Sequence, residues 1–199
     1  MTTISNKEPM VTPVDWIREP KQGRWTYKEY AALPNDGVRY ELVNGVLFMT
    51  PSPSGQHQDA VLEIAAYLRD YIKQANAGKV RIAPCDVELA SNVVVQPDVF
   101  IVLNDHLDRI EESRVVGAPD LVVEVISPGT ATYDRNNKYH AYARAGVPEY
   151  WLVDPASRTV EVLVLDGFQY RSLGVFRGTA LLPSEILPGF EVQVEKFFA

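Results

Sequence analysis

The sequence predicts a mixed α/β domain in which a central β-sheet is covered by two longer helices. Three observations carry this. Two consecutive segments, "VVVQPDVFIV" and "DLVVEVIS", are apolar, β-branched runs of the kind buried on both faces of a sheet. Two other segments repeat their apolar residues at helical spacing, and the elements alternate in type along the chain. At 199 residues, 46% hydrophobic and 23% charged, the chain is long enough for one good core.

Residues 1–24 are Pro-rich and loosely patterned and read as an N-terminal arm, with a single domain expected over 25–199. In "TYKEYAAL", Thr26 and Glu29 stand at capping-box spacing, which predicts a short helix from about Tyr27 to Leu33. "RYELVNGVLFM" alternates around Asn44-Gly45, a strong hairpin signal. "GQHQDAVLEIAAYLRDYIKQANAG" sets Val61, Ile64, Ala65, Leu68 and Ile72 on one stripe of a long helix ending near Gly78. Next, "RIAPCDVELASNVVVQPDVFIV" reads as two strands around "ASN", followed by a polar loop and the strand "DLVVEVIS". "YDRNNKYHAYARAG" is a helix stopped by Gly146 and Pro148. Three further strands, with Asp166-Gly167 as a hairpin turn, complete the C-terminal third.

Composition excludes several classes of function. No apolar run approaches the roughly 18 residues of a membrane span, and the first residues lack a signal-peptide pattern, so a cytoplasmic protein is expected. One cysteine, Cys85, allows neither an internal disulfide nor a cysteine-based zinc cage. A net charge of -7 argues against electrostatic coating of nucleic acid, though not against a local basic groove. The glycines assemble no phosphate-cradling loop.

The chemistry lies in the acids within the strands. Asp98 and Glu124 each interrupt an apolar strand, where an unpaired carboxylate is costly. Either acid alone is also explained by a strand-end cap, an ion pair or exposure to water. Two in consecutive strands, with a helix and a lysine just downstream, point to a functional cluster. If the strands are neighbours, the carboxylates repel unless a cation or a shared proton intervenes, and Mg²⁺ is commonly held by one or two carboxylates plus waters. Asp120 is the competing candidate, because Pro-Asp occurs at both Pro97-Asp98 and Pro119-Asp120. Four residues along one strand separate Asp120 from Glu124 by about 13 Å, too far to share an ion, so Asp120 reads as a turn or strand-start residue.

"YELVNGVL", "MTPSPSGQHQ", "VVQPDVFIV", "PDLVVEVISP", the downstream Lys138 and "GVPEYWLVDP" together resemble the Uma-two family, a bacterial family to which endonuclease activity is attributed. It falls within the PD-(D/E)XK restriction-endonuclease-like superfamily, and the likeness covers about residues 25–195. The resemblance implies a restriction-endonuclease-like mixed central β-sheet flanked by α-helices. It implies that Asp98 and Glu124 take the two acidic motif positions and hold Mg²⁺ or Mn²⁺. The superfamily's lysine two residues after the second acid is replaced here by Ile126, and relatives with this arrangement supply it from the following helix, where Lys138 stands. Glu41 matches an acid contributed from the N-terminal region to the metal or its water shell; a cross-strand partner in an exposed hairpin is its other reading.

His57 either lines the site or starts the long helix. Tyr139, Tyr142, Tyr150 and Trp151 suit base stacking but occupy spacing typical of core. Arg81, Arg135, Lys138 and Arg144 are the basic residues expected nearest the substrate. The expected function is cleavage of nucleic acid, DNA above RNA or small phosphodiesters, by a homodimer. The competing expectation is a nuclease-fold descendant that no longer cuts and serves as a binding or assembly module.

Overall fold

The computed structural model describes residues 10–17 and 19–198, so residues 1–9 and 18 of the predicted arm lie outside the described residues. Twelve strands and three α-helices follow in the order β1 (Thr12–Pro13), α1 (Tyr27–Tyr30), β2 (Arg39–Val43), β3 (Val46–Thr50), α2 (Gly55–Ala75), β4 (Gly78–Ile82), β5 (Asp86–Ala90), β6 (Val93–Val95), β7 (Val99–Leu103), β8 (Arg114–Val116), β9 (Leu121–Val125), α3 (Tyr139–Ala145), β10 (Glu149–Asp154), β11 (Thr159–Asp166) and β12 (Gln169–Arg177). A π-helical turn, Tyr133–Lys138, leads into α3. No helix among the described residues is long and apolar enough to cross a membrane.

The strands form two six-stranded sheets rather than one. The central sheet runs β12-β11-β10-β9-β7-β4 and is mixed, since β9 pairs parallel with β10 and antiparallel with β7. The second runs β1-β3-β2-β6-β5-β8. The division has a cause in the stretch read from sequence as two strands, which is four. Pro84 and Pro97 offer no N–H to a ladder, so the strands break there. The chain leaves the central sheet after β4, makes the β5–β6 hairpin in the second sheet, and returns as β7.

Alternation along β7 and β9 then builds two cores. Val99, Ile101, Leu121 and Val123 face α2, where Ala60, Ile64, Leu68 and Ile72 form the buried stripe. Phe100, Val102 and Val122 face the other way and share a core with Val43, Val87 and Val95 of the second sheet and Tyr142 of α3. Central strands buried on both faces are what their continuous apolar runs require. Gly146, at φ 83°, ends α3 in the left-handed conformation open to glycine. Part of the predicted arm is held in place, since β1 pairs with β3 and Gln22 donates to the carbonyl of Val14 and accepts from the N–H of Leu47.

Candidate active site

Antiparallel register pairs Val99 with Val123 and Phe100 with Val122, so the next position brings Asp98 opposite Glu124. The Asp98 carboxylate accepts from the backbone N–H of Val125 at 2.9 Å through Oδ2, which fixes it beside Glu124. Glu41 comes from β2 in the second sheet, and Lys138 from the end of the π-helical turn. Lys138 Nζ stands 3.0 Å from Glu124 Oε1, 3.0 Å from Glu41 Oε1 and 3.6 Å from Asp134 Oδ1. The four residues implicated by sequence therefore converge: Lys138 joins Glu41 to Glu124, and Asp98 adjoins Glu124 across the strands.

All of these acids are buried, which makes their partners informative. Two other buried acids serve as controls. Glu149 accepts from the indole N–H of Trp151 and the N–H of Glu185, each at 2.7 Å, so both oxygens are occupied. Asp120 accepts from Leu103 N–H at 2.7 Å and meets His106 Nδ1 at 2.7 Å, a strand-start anchor remote from Lys138. Those are the marks of structural carboxylates.

The site acids differ. Glu41 Oε1 accepts from Gln96 N–H at 2.8 Å, but its Oε2 is buried with no partner. Glu124 Oε1 takes Lys138 and, at 2.5 Å, the Tyr142 hydroxyl, while Oε2 takes no hydrogen bond among the described residues. Asp98 Oδ2 is met by Val125 and by His57 Nε2 at 3.1 Å, yet the nearest cation to Oδ1 is Arg39 Nη1 at 3.9 Å. Each of three carboxylates thus keeps one oxygen uncommitted, and all three line a single cavity of about 430 Å³ together with Arg39, His57 and Lys138.

Charge reinforces the geometry. Counted formally, with every group ionised, Glu41, Asp98, Glu124 and Asp134 exceed Lys138 and Arg39 by two negative charges, apart from His57. Burial drives the Glu124 carboxyl well above the usual range, against the opposing pull of Lys138, with Asp98, Asp134 and Glu41 adding to the rise. Asp134 is likewise pushed up by burial, to about 6. Burial opposes ionisation of Asp98 too, but the His57 hydrogen bond, with Lys138 and Arg39, wins and lowers it. Burial opposes the charge on Lys138, and three carboxylates more than restore it.

The donor set fits a divalent cation. A bound cation would favour ionisation of the carboxyls that burial now holds protonated, and the orphaned Glu41 Oε2 is an acceptor that the protein does not satisfy. Among the described residues no three His, Cys, Asp or Glu side chains stand grouped as ready ligands of one ion. Mg²⁺ does not need three, since one or two carboxylates and several waters suffice.

Sequence reasoning missed three participants. Tyr142 stands at core spacing and is buried, but its hydroxyl reaches Glu124. Asp134 carried no signal beyond its i,i+4 spacing to Lys138. Arg39 was hidden in an ordinary hairpin; it replaces the expected Arg81, Arg135 and Arg144, none of which lines the cavity. Arg135 pairs instead with Glu161 at 2.8 Å. His57 lines the site with its ring on Asp98; the cap of α2 is Ser54, to which His57 gives its backbone N–H from the first turn at 3.3 Å.

None of the curated proteins matches this sequence. Among solved structures, a crystal structure described as "a putative nuclease belonging to DUF820", from Anabaena variabilis, superposes with a TM-score of 0.70 at 22% identity. The match covers 87% of this chain and 97% of that one, so the two share a fold, the restriction-endonuclease-like arrangement of a mixed central sheet between helices. The sequence profile of the Uma2 family, described as "Putative restriction endonuclease", matches residues 27–195, a span that contains every residue of the cavity's charged cluster. The chain belongs to the Uma2 family.

Proposed function

We propose that this protein is a divalent-metal-dependent nuclease that hydrolyses phosphodiester bonds, with DNA as its substrate. One observation carries the reading: three carboxylates on three strands or strand ends each leave an oxygen uncommitted in one cavity, beside a buried lysine. Asp98 and Glu124 would hold Mg²⁺ or Mn²⁺, with Glu41 as a third ligand or an anchor of its waters. Such an ion lowers the pKa of a bound water and stabilises charge on the phosphate.

The chain's own residues prepare the rest. The hydroxyl of Tyr142 and the ring of His57 each hold one carboxylate oxygen, which orients the other toward the cavity. Lys138 bridges Glu124 and Glu41, where an ammonium can position the attacking water or offset charge developing on phosphate. Two copies in a homodimer would present two such sites to a duplex.

Cleavage of single- and double-stranded DNA, with RNA and small phosphodiesters in parallel, tests this with and without metal. Glu124→Gln and Lys138→Ala should each lower the rate by at least about a hundredfold. Full activity in either variant would sink the assignment. A second reading, a nuclease-fold module that binds without cutting, draws support from Lys138, which already ion-pairs with both Glu41 and Glu124 where a metal would stand. Calorimetry separates the two: a working site takes up Mn²⁺ and loses it in Asp98→Asn.

A further inference from the structure

A second cavity, of about 600 Å³, opens beside the first, and the two share Arg39, Pro53, His57 and Asp98 as a common wall. Its character is different. Val38, Leu62 and Ile82, 36%, 67% and 51% exposed, are three of the large apolar side chains that the described surface leaves in solvent, and all three line this groove. Apolar side chains gathered at one concave place beside a charged site mark a binding surface more often than scattered ones do. Asn35 and Gln58 add amide groups that make no side-chain hydrogen bond among the described residues.

Arg39 at the boundary is also incompletely used. Its Nε donates to Gln96 Oε1 at 3.0 Å and its Nη2 to the Gln96 carbonyl, which fixes the guanidinium plane. Nη1 makes no hydrogen bond among the described residues, and the side chain is 27% exposed. Lys138, by contrast, is buried and surrounded by three carboxylates. Of the two cations lining the charged cavity, Arg39 is therefore the one with a donor to spare for a substrate.

We infer that these features form a nucleotide subsite: Arg39 Nη1 takes a phosphate next to the reacting one, and the apolar groove takes the base attached to it. A nucleotide joins an anion to a flat, largely apolar ring with polar edges, the same sequence of chemistry met on passing from Arg39 into the groove. An unstacked base is required, so the substrate is engaged as a single strand or with a nucleotide turned out of the duplex. The inference rests on the nuclease reading but concerns how the substrate is held, not how it is cut.

Binding is measured by fluorescence anisotropy in EDTA, comparing labelled single-stranded DNA with an abasic strand of the same length and charge. The wild-type protein should prefer the strand with bases by about fivefold, the low end for one bound base, since the groove offers no Phe, Tyr or Trp face. The double variant Leu62→Ser, Ile82→Ser alters exposed positions and should lose that preference while its salt dependence stays unchanged. Arg39→Ala should keep the preference and make the slope of log K against log salt shallower by about 0.7, the value for one single-strand phosphate contact. Arg39→Lys, which keeps the charge, should retain the slope and covers the case in which the alanine variant does not fold.

Equal binding of the two strands by wild type, or a preference surviving in the double variant, overturns the base subsite. An unchanged slope in Arg39→Ala overturns the phosphate contact. If the double variant instead changes the sedimentation mass and leaves base preference intact, the groove is a self-association face and the inference fails. Cleavage assayed in parallel keeps the two readings apart: base preference without metal-dependent cleavage sinks only the nuclease, and cleavage without base preference sinks only the subsite.

Discussion

Asp134 and Glu124 show how far burial can move a carboxyl that has an ammonium beside it. Asp134 lies 3.6 Å from Lys138, yet desolvation, with Asp98 and Glu41 adding to it, lifts its pKa from 3.8 to about 6. Its folded form holds a proton more tightly than its unfolded form does. Stability from this group is full at low pH and is lost as pH rises from about 4 to about 6. Glu124 adds a change of the same sign, and Asp98, whose pKa is lowered, acts only at still lower pH. In metal-free buffer the Asp134 contribution is on the order of 2–3 kcal/mol. Urea unfolding between pH 4 and 7 should therefore show stability declining across that window, and Asp134→Asn should flatten the decline. An unaltered pH profile in the variant would mean that Asp134 is ionised throughout.

At the level of elements, the β2–β3 hairpin aligns Arg39 and Glu41 with the central sheet. Asn44 and Gly45, at φ 53° and 74°, make the left-handed turn that Asn-Gly favours. A Cβ on Gly45 would lie 2.6 Å from the Gly23 carbonyl oxygen, a backbone atom held there by the Gly23 N–H bond to the Gly45 carbonyl. Gly45→Ala should cost about 2 kcal/mol or more, from strained φ and this clash together. Gly37, at φ 79°, has open space where an added methyl would stand, so Gly37→Ala should lose less. Chemical denaturation of the two variants checks the order; equal losses would leave only the φ strain. The π-helical turn matters for a different reason. It is one of the irregular helical turns found often at functional sites, and it carries Asp134 and Lys138 to Glu124 before a regular α3 resumes.

For the whole molecule, the uncommitted carboxylate oxygens of the buried cluster predict linkage between metal and stability. Saturating Mg²⁺ or Mn²⁺ should stabilise the fold by about 2.7 kcal/mol at a hundred times the dissociation constant. The shift should vanish in Asp98→Asn and shrink in Glu41→Gln. Thermal or urea melts read this without any substrate, and a wild-type protein indifferent to millimolar metal would favour the non-cutting module. A net charge of -7 is compatible with the proposed nucleic-acid substrate: the inferred contacts are one guanidinium and an apolar groove, not a broad basic face.

Much of this was legible in one dimension. Hydrophobic period, stop signals and turn dipeptides located both main helices, the Asn44-Gly45 hairpin and the C-terminal strands, and capping-box spacing located the start of α1, because those signals act over a few residues. Strand geometry alone removed Asp120 from contention, and the resemblance supplied Lys138 and Glu41. What local pattern could not supply was the partition of strands into two sheets, which depends on chain corners at Pro84 and Pro97, and the choice of cation beside the cavity. Arg39 and Arg135 look equivalent in sequence. One faces Asp98 across the junction of two sheets and the other meets Glu161 at the surface, a difference set by long-range packing. The sequence by itself determined which residue types and local elements were available; only the tertiary structure decided which carboxylates were left with a free oxygen, because hydrogen-bond satisfaction is a property of neighbours far apart in the chain.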